Sequence, residues 1–170
     1  MNLEQAAVYT KDRFGLADTI EQIIDEWKSS AIHEYRDNVK AFDGARELLE
    51  IMKARGIKTA LATASDRVFY EPALKRTGLY DLLDFFSQTS EVERGKGFPD
   101  IYLHASSALG LSPGECAVFE DIPEGILGAR AGGFVCVGAL CGALTKERES
   151  LISLSDLTFE HYDELIQIFA

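Results

Sequence analysis

From Ile57 onward, short apolar runs alternate with helical segments, and this alternation limits the possible folds more than any other feature of the chain. The run Ile57-Lys58-Thr59-Ala60-Leu61-Ala62-Thr63 predicts a first strand; Phe85-Phe86, Cys116 to Glu120 and Phe134 to Gly138 predict others. Helices are predicted around them: Ala45 to Ala54 with Leu48, Leu49 and Met52 inward, Arg67 to Thr77, Pro99 to Leu109, Pro123 to Ala131, and a terminal one from Tyr162. Buried strands separated by helices predict an α/β fold, a parallel doubly wound sheet covered on both faces. In such sheets ligands sit at the carboxyl ends of the strands, so chemistry is sought there.

The first 40 residues read as helical instead. Ile20, Ile23, Ile24, Trp27, Ala31 and Tyr35 recur at three- and four-residue steps from Asp18, and Asp18 with Glu21 resembles a capping box. A shorter helix is predicted from Leu3 to Arg13, ended by Gly15. At 170 residues the chain is expected to form one domain, or one plus a small insert. Its 46% apolar content is enough for a sizeable core. A net charge of −11 argues against nucleic acid or an anionic membrane as partner, while leaving room for a small phosphorylated metabolite held at one basic spot. The longest apolar stretch, Phe134 to Leu144, is interrupted by glycine and too short to span a bilayer, and a cytoplasmic location is expected. Cys116, Cys136 and Cys141, without a Cys-x-x-Cys spacing, read as reduced structural thiols.

Three strand ends carry candidate chemistry. Glu120-Asp121 places two adjacent carboxylates where a strand meets a helix, which suits a hard cation such as Mg²⁺; the alternative is that Asp121 only caps the helix. Lys96, in the loop Arg94-Gly95-Lys96-Gly97-Phe98-Pro99-Asp100, is either a point charge for a phosphoryl oxygen or an ordinary exposed lysine. Thr63 and Ser65 offer hydroxyls and backbone N–H groups to an oxyanion at the next helix, unless Ser65 is merely its N-cap. His33, His104 and His161 have no local triad partner.

The order of these segments resembles the haloacid dehalogenase-like (HAD) hydrolase superfamily, in its phosphatase and β-phosphoglucomutase branch with a helical cap. The residues that carry the likeness are Gly44 to Leu49, Thr59 to Ser65, Gly95 to Leu103 and Val118 to Ile126. They extend it over nearly the whole chain, with residues 1–41 similar to the later part of the cap and 42–170 to the α/β core. The resemblance implies that Thr63, Ala64, Ser65 and Lys96 bind the phosphoryl group, that Thr63 and Lys96 are catalytic, and that Glu120 and Asp121 help hold Mg²⁺. It implies hydrolysis or transfer of a phosphoryl group on a small metabolite, expected to be a sugar phosphate, through an aspartyl-phosphate. Two departures are Gly97 where proline is usual after the lysine and Gly128 where alanine is common.

A larger departure concerns the nucleophile. The family's first strand ends in Asp-x-Asp-Gly-Thr, and no Asp-x-Asp occurs in this sequence; Asp43-Gly44 reads as a turn before a helix. The chain thus resembles a member lacking its first, central strand, expected to lie between the Thr63 and Cys116 strands, and part of its cap. It is expected to be inactive alone and to self-associate through exposed strand edges. The alternative is a non-catalytic remnant serving as a binding or interaction domain. A CheY-like receiver fits the alternation, but Thr63 stands where a receiver needs an acid.

Overall fold

A computed structural model describes residues 3–169. The first two helices are α1 (Leu3–Phe14) and α2 (Ile20–Asp37), followed by α3 (Ala45–Ala54), β1 (Ala60–Thr63), α4 (Arg67–Thr77) and β2 (Phe85–Gln88). Then come α5 (Asp100–Leu109), β3 (Ala117–Glu120), α6 (Pro123–Ala131), β4 (Val135–Ala139), α7 (Arg148–Leu154), β5 (Leu157–Phe159) and α8 (Tyr162–Phe169). The α/β alternation read from the sequence is present. β1 begins at Ala60 rather than Ile57 because the Ile57 N–H closes α3 on the Met52 carbonyl at 2.9 Å and the Thr59 N–H donates to Asp84 Oδ2 at 2.8 Å. β5 and α7 were not expected; each is too short to show a period in its apolar residues.

All strand pairing is parallel, in two sheets: β1 beside β2, and β3, β4, β5 in that order. Successive side chains of a strand point to opposite faces, and β4 shows the result. Cys136 joins a core with Ile101 and Tyr102 of α5, Ile126 and Ala129 of α6 and Leu151 of α7. Its neighbour Val137 joins the core on the other face, with Leu48 and Met52 of α3, Phe159 of β5 and Leu165 of α8. The three-stranded sheet is therefore covered on both faces. Ala62 of β1 and Val118 of β3 both pack against the first of these cores, so α5 lies against elements of both sheets. In the two-stranded sheet, Phe86 is sandwiched by Tyr70 of α4 and Tyr80, at ring-centroid distances of 6.0 and 4.8 Å.

The α2 N-terminus lies one residue later than the sequence suggested. Thr19, not Asp18, is the N-cap; its Oγ1 accepts from the Gln22 N–H at 3.2 Å while Gln22 Oε1 accepts from the Thr19 N–H at 2.8 Å. The Asp18 carbonyl accepts from Lys11 instead. α2 lies against α4, with Tyr35 and Phe69 rings 6.0 Å apart. Arg76 of α4 caps it, donating to the carbonyls of Arg36 (2.7 Å), Tyr35 (3.4 Å) and Val39. Asp43-Gly44 forms the expected turn: Gly44 has φ +79°, and an added Cβ would lie 2.9 Å from Tyr162 Cβ. The three cysteines are free thiols, each held protonated by burial, which pushes its pKa up. Among the described residues no helix is long and apolar enough to cross a membrane.

Candidate active site

The structure joins Lys96 to Glu120. The loop that carries Lys96 is folded by a two-pronged pair, Arg94 Nε and Nη2 on Asp100 Oδ1 and Oδ2 at 3.0 and 2.8 Å, and by a turn from the Phe98 N–H to the Gly95 carbonyl at 2.9 Å. Arg94 also stacks over the Phe98 ring, 4.5 Å from its centroid. From this loop Lys96 Nζ reaches Glu120 Oε1, the last residue of β3, at 2.6 Å. Both side chains are withdrawn from solvent, at 21% and 4% exposure, so Lys96 is not the exposed loop lysine of the simpler reading.

Two further residues shape this pair. The Tyr102 hydroxyl, on α5 and 3% exposed, donates to the same Glu120 Oε1 at 2.9 Å. Burial, and next the Glu120 charge, push the phenol pKa well above its ordinary value, so it remains a donor. Beneath the carboxylate lies Gly125, where a Cβ would sit 2.7 Å from Glu120 Cδ; only glycine lets the acid lie flat on α6. Gly128, one turn on, meets the lysine loop itself: a Cβ there would lie 2.1 Å from the Lys96 carbonyl oxygen and 2.8 Å from that of Phe98. Gly97 sits in the same contact, where an added Cβ would fall 2.8 Å from Glu124 Oε1. The two glycines that depart from the family pattern thus belong to one close approach between loop and helix.

Asp121 follows Glu120 and does not cap α6. The N-cap is Ile122, without a side-chain bond, and Pro123 supplies the first turn. The Asp121 carboxylate rests against Gly142, where a Cβ would come within 2.9 Å of Oδ2, and among the described residues it has no hydrogen bond or ion pair. Its oxygens suit a hard cation; Glu120 Oε1 already accepts two bonds. No cluster of three or more acidic, histidine or cysteine side chains that could hold a metal ion exists among the described residues.

At the end of β1, Thr63 Oγ1 accepts from the Ser65 N–H at 3.0 Å. Ser65 is not the N-cap of α4; Asp66 is, without a side-chain bond. Thr63 and Glu120 both end strands at the carboxyl edge, but no hydrogen bond or ion pair among the described residues links Thr63, Ala64 or Ser65 to Lys96 or Asp121. Tyr102 had no individual role in the sequence, and Gly128 stood out there only as a departure from the family pattern.

Comparison with known proteins gives the same family. The model of the haloacid dehalogenase-like hydrolases matches residues 4–133, and the chain belongs to that family. A validoxylamine A 7′-phosphate phosphatase of Streptomyces hygroscopicus subsp. limoneus is 38% identical over 120 residues, 68% of this chain and 55% of that protein. A β-phosphoglucomutase of Mycobacterium bovis is 35% identical over 105 residues, 59% of this chain and 39% of that one. The chain thus spans about half the length of such relatives, or less. A crystal structure from Thermotoga maritima superposes with a TM-score of 0.84 at 23% identity, covering 99% of this chain and 77% of that one. A HAD family hydrolase from Deinococcus radiodurans, solved with bound phosphate and sodium, gives 0.77 at 25% identity, covering 97% and 73%.

Proposed function

We propose that this chain belongs to a cytoplasmic, Mg²⁺-dependent phosphoryl hydrolase or transferase that acts on a small phosphorylated metabolite, a sugar phosphate. The observation that carries the reading is the Lys96–Glu120 pair at 2.6 Å on the carboxyl end of β3, a withdrawn positive charge where the family handles phosphate. Support for the substrate class comes from the relatives named for sugar-like phosphates. In this reading residues 1–41 belong to a cap and 42–170 to the core.

Lys96 places a point charge against the phosphoryl oxygens, and Thr63, with the backbone of Ala64 and Ser65, takes other oxygens of the group. Phosphoryl transfer depends mainly on such positioning and charge stabilisation. Glu120 and Asp121 form the acidic side, where Mg²⁺ when bound would neutralise phosphate charge. The sequence lacks an Asp-x-Asp nucleophile, and Thr63 Oγ1 accepts from the Ser65 N–H and has no hydrogen bond to a base among the described residues.

The 170-residue chain is therefore expected to show no Mg²⁺-dependent phosphatase activity above background with a generic phosphate ester. Fusing a strand that ends in Asp-x-Asp-Gly-Thr upstream of Met1 is expected to restore turnover, and Lys96→Ala in that fusion to abolish it. Robust hydrolysis by the unfused chain, lost in Lys96→Ala, would mean that another residue attacks phosphorus. A correctly folded fusion that stays inert would favour a binding domain over an enzyme.

A further inference from the structure

The two carboxylates at the end of β3 are not equivalent in their partners. Glu120 Oε1 accepts from both Lys96 Nζ (2.6 Å) and the Tyr102 hydroxyl (2.9 Å), its carboxylate lies on Gly125, and its side chain is 4% exposed. Asp121, one residue on, has no hydrogen bond or ion pair among the described residues. A buried carboxylate needs its lone pairs satisfied, and a hydroxyl fixed on a packed helix satisfies one in a constant direction. The Tyr102 ring is itself fixed, since it packs edge-on against Phe134 at 6.1 Å.

We infer that Tyr102 is a positioning residue that holds Glu120 as the anchor of Lys96, so that Asp121 alone faces a cation. The inference rests on the reading of Lys96 as the phosphate-binding cation, and it divides between Glu120 and Asp121 a role that the family resemblance gives to both. Removing the Tyr102 hydroxyl frees one lone pair of Glu120, and the carboxylate can then turn away from Lys96. Anion binding should weaken while cation binding holds or improves. A merely structural role for the tyrosine would weaken both together.

The test uses the full chain with two separate probes, inorganic phosphate and Mg²⁺ alone, each titrated by NMR against wild type, Tyr102→Phe, Glu120→Gln, Asp121→Asn and Lys96→Ala. Expected for Tyr102→Phe is a three- to tenfold loss of phosphate affinity with Mg²⁺ affinity equal to or above wild type. Glu120→Gln, the second variant should Tyr102→Phe fail to fold, is expected to lose phosphate affinity and to keep that for Mg²⁺ within about twofold. Asp121→Asn is expected to lose Mg²⁺ affinity. Unchanged phosphate binding in Tyr102→Phe, or Mg²⁺ binding lost as fully in Glu120→Gln as in Asp121→Asn, overturns the division of roles. Phosphate binding that survives Lys96→Ala, or is absent from the wild type, overturns the underlying reading of Lys96 and the inference with it.

Discussion

At the scale of the residue, the site depends on atoms that are missing as much as on those present. Gly128 has no unusual backbone angle; what it supplies is space, because a Cβ would stand 2.1 Å from the Lys96 carbonyl oxygen. Gly128→Ala is expected to push the loop off α6 at a cost of ~1 to 3 kcal/mol, the usual range for overpacking, and to weaken phosphate binding with it. Urea unfolding checks the first effect and a phosphate titration the second; an unchanged midpoint would show that the loop yields freely. Glu120 and Asp121 stood out in the sequence because they close an apolar strand run, and Lys96 because glycines flank it in a loop before a helix. Gly97 and Gly128 were visible only as departures from a family pattern. Their meeting depends on how a loop crosses a helix, which one-dimensional spacing does not encode. Tyr102 was hidden for a different reason: a buried aromatic at a helical period looks fully explained by packing.

At the scale of the element, α4 shows how a local sequence sustains a helix through a breaker. Pro72 lies inside it and deprives it of one backbone donor. Glu71 pairs with Arg67 four residues before and with Lys75 four residues after at 2.5 Å, so the charges straddle the proline. Hydrogen bonds from Arg67 and then Lys75 lower the Glu71 carboxyl from 4.5 to about 2. A depressed acid stabilises the folded chain above its unfolded pKa, and the contribution is lost as pH falls through the folded value. Glu71→Gln is therefore expected to lower the thermal midpoint at pH 7, with the gap to wild type narrowing from pH 4.5 toward pH 2. Melts across that range check it, and a gap independent of pH would assign the effect to something other than charge. The longer helices were readable because their caps and periods agree, as at α3, where Gly44 opens and Gly56 follows. At α2 the cap falls on Thr19 rather than Asp18, and the neighbour that engages the Asp18 carbonyl, Lys11, lies in another helix. Three-residue β5 has too little pattern to be read before its partner β4 is known.

At the scale of the whole molecule, the strands form two parallel sheets that do not hydrogen-bond to each other, β1 pairing with β2 and β3 with β4. The sequence argument placed a further strand between them, and on that reading the facing edges of β1 and β3 are expected to offer unpaired N–H and C=O groups. The 170-residue chain is expected to self-associate with rising concentration. Fusion of the upstream strand is expected to return it to a monomer. Sedimentation velocity over a wide concentration range tests this, and a strictly monomeric unfused chain would show that the edges are already protected.

Between the two sheets, α5 reaches both. Its residues pack on β1 and β2, and its Tyr102 hydroxyl touches the last residue of β3. α5 is one of the elements that tie the two sheets together, and its link to Lys96 runs through the 2.9 Å hydrogen bond on the Glu120 carboxylate. If Lys96 grips an anion as proposed, a shift of α5 against β3 that leaves the secondary structure intact is expected to register there as a change in grip.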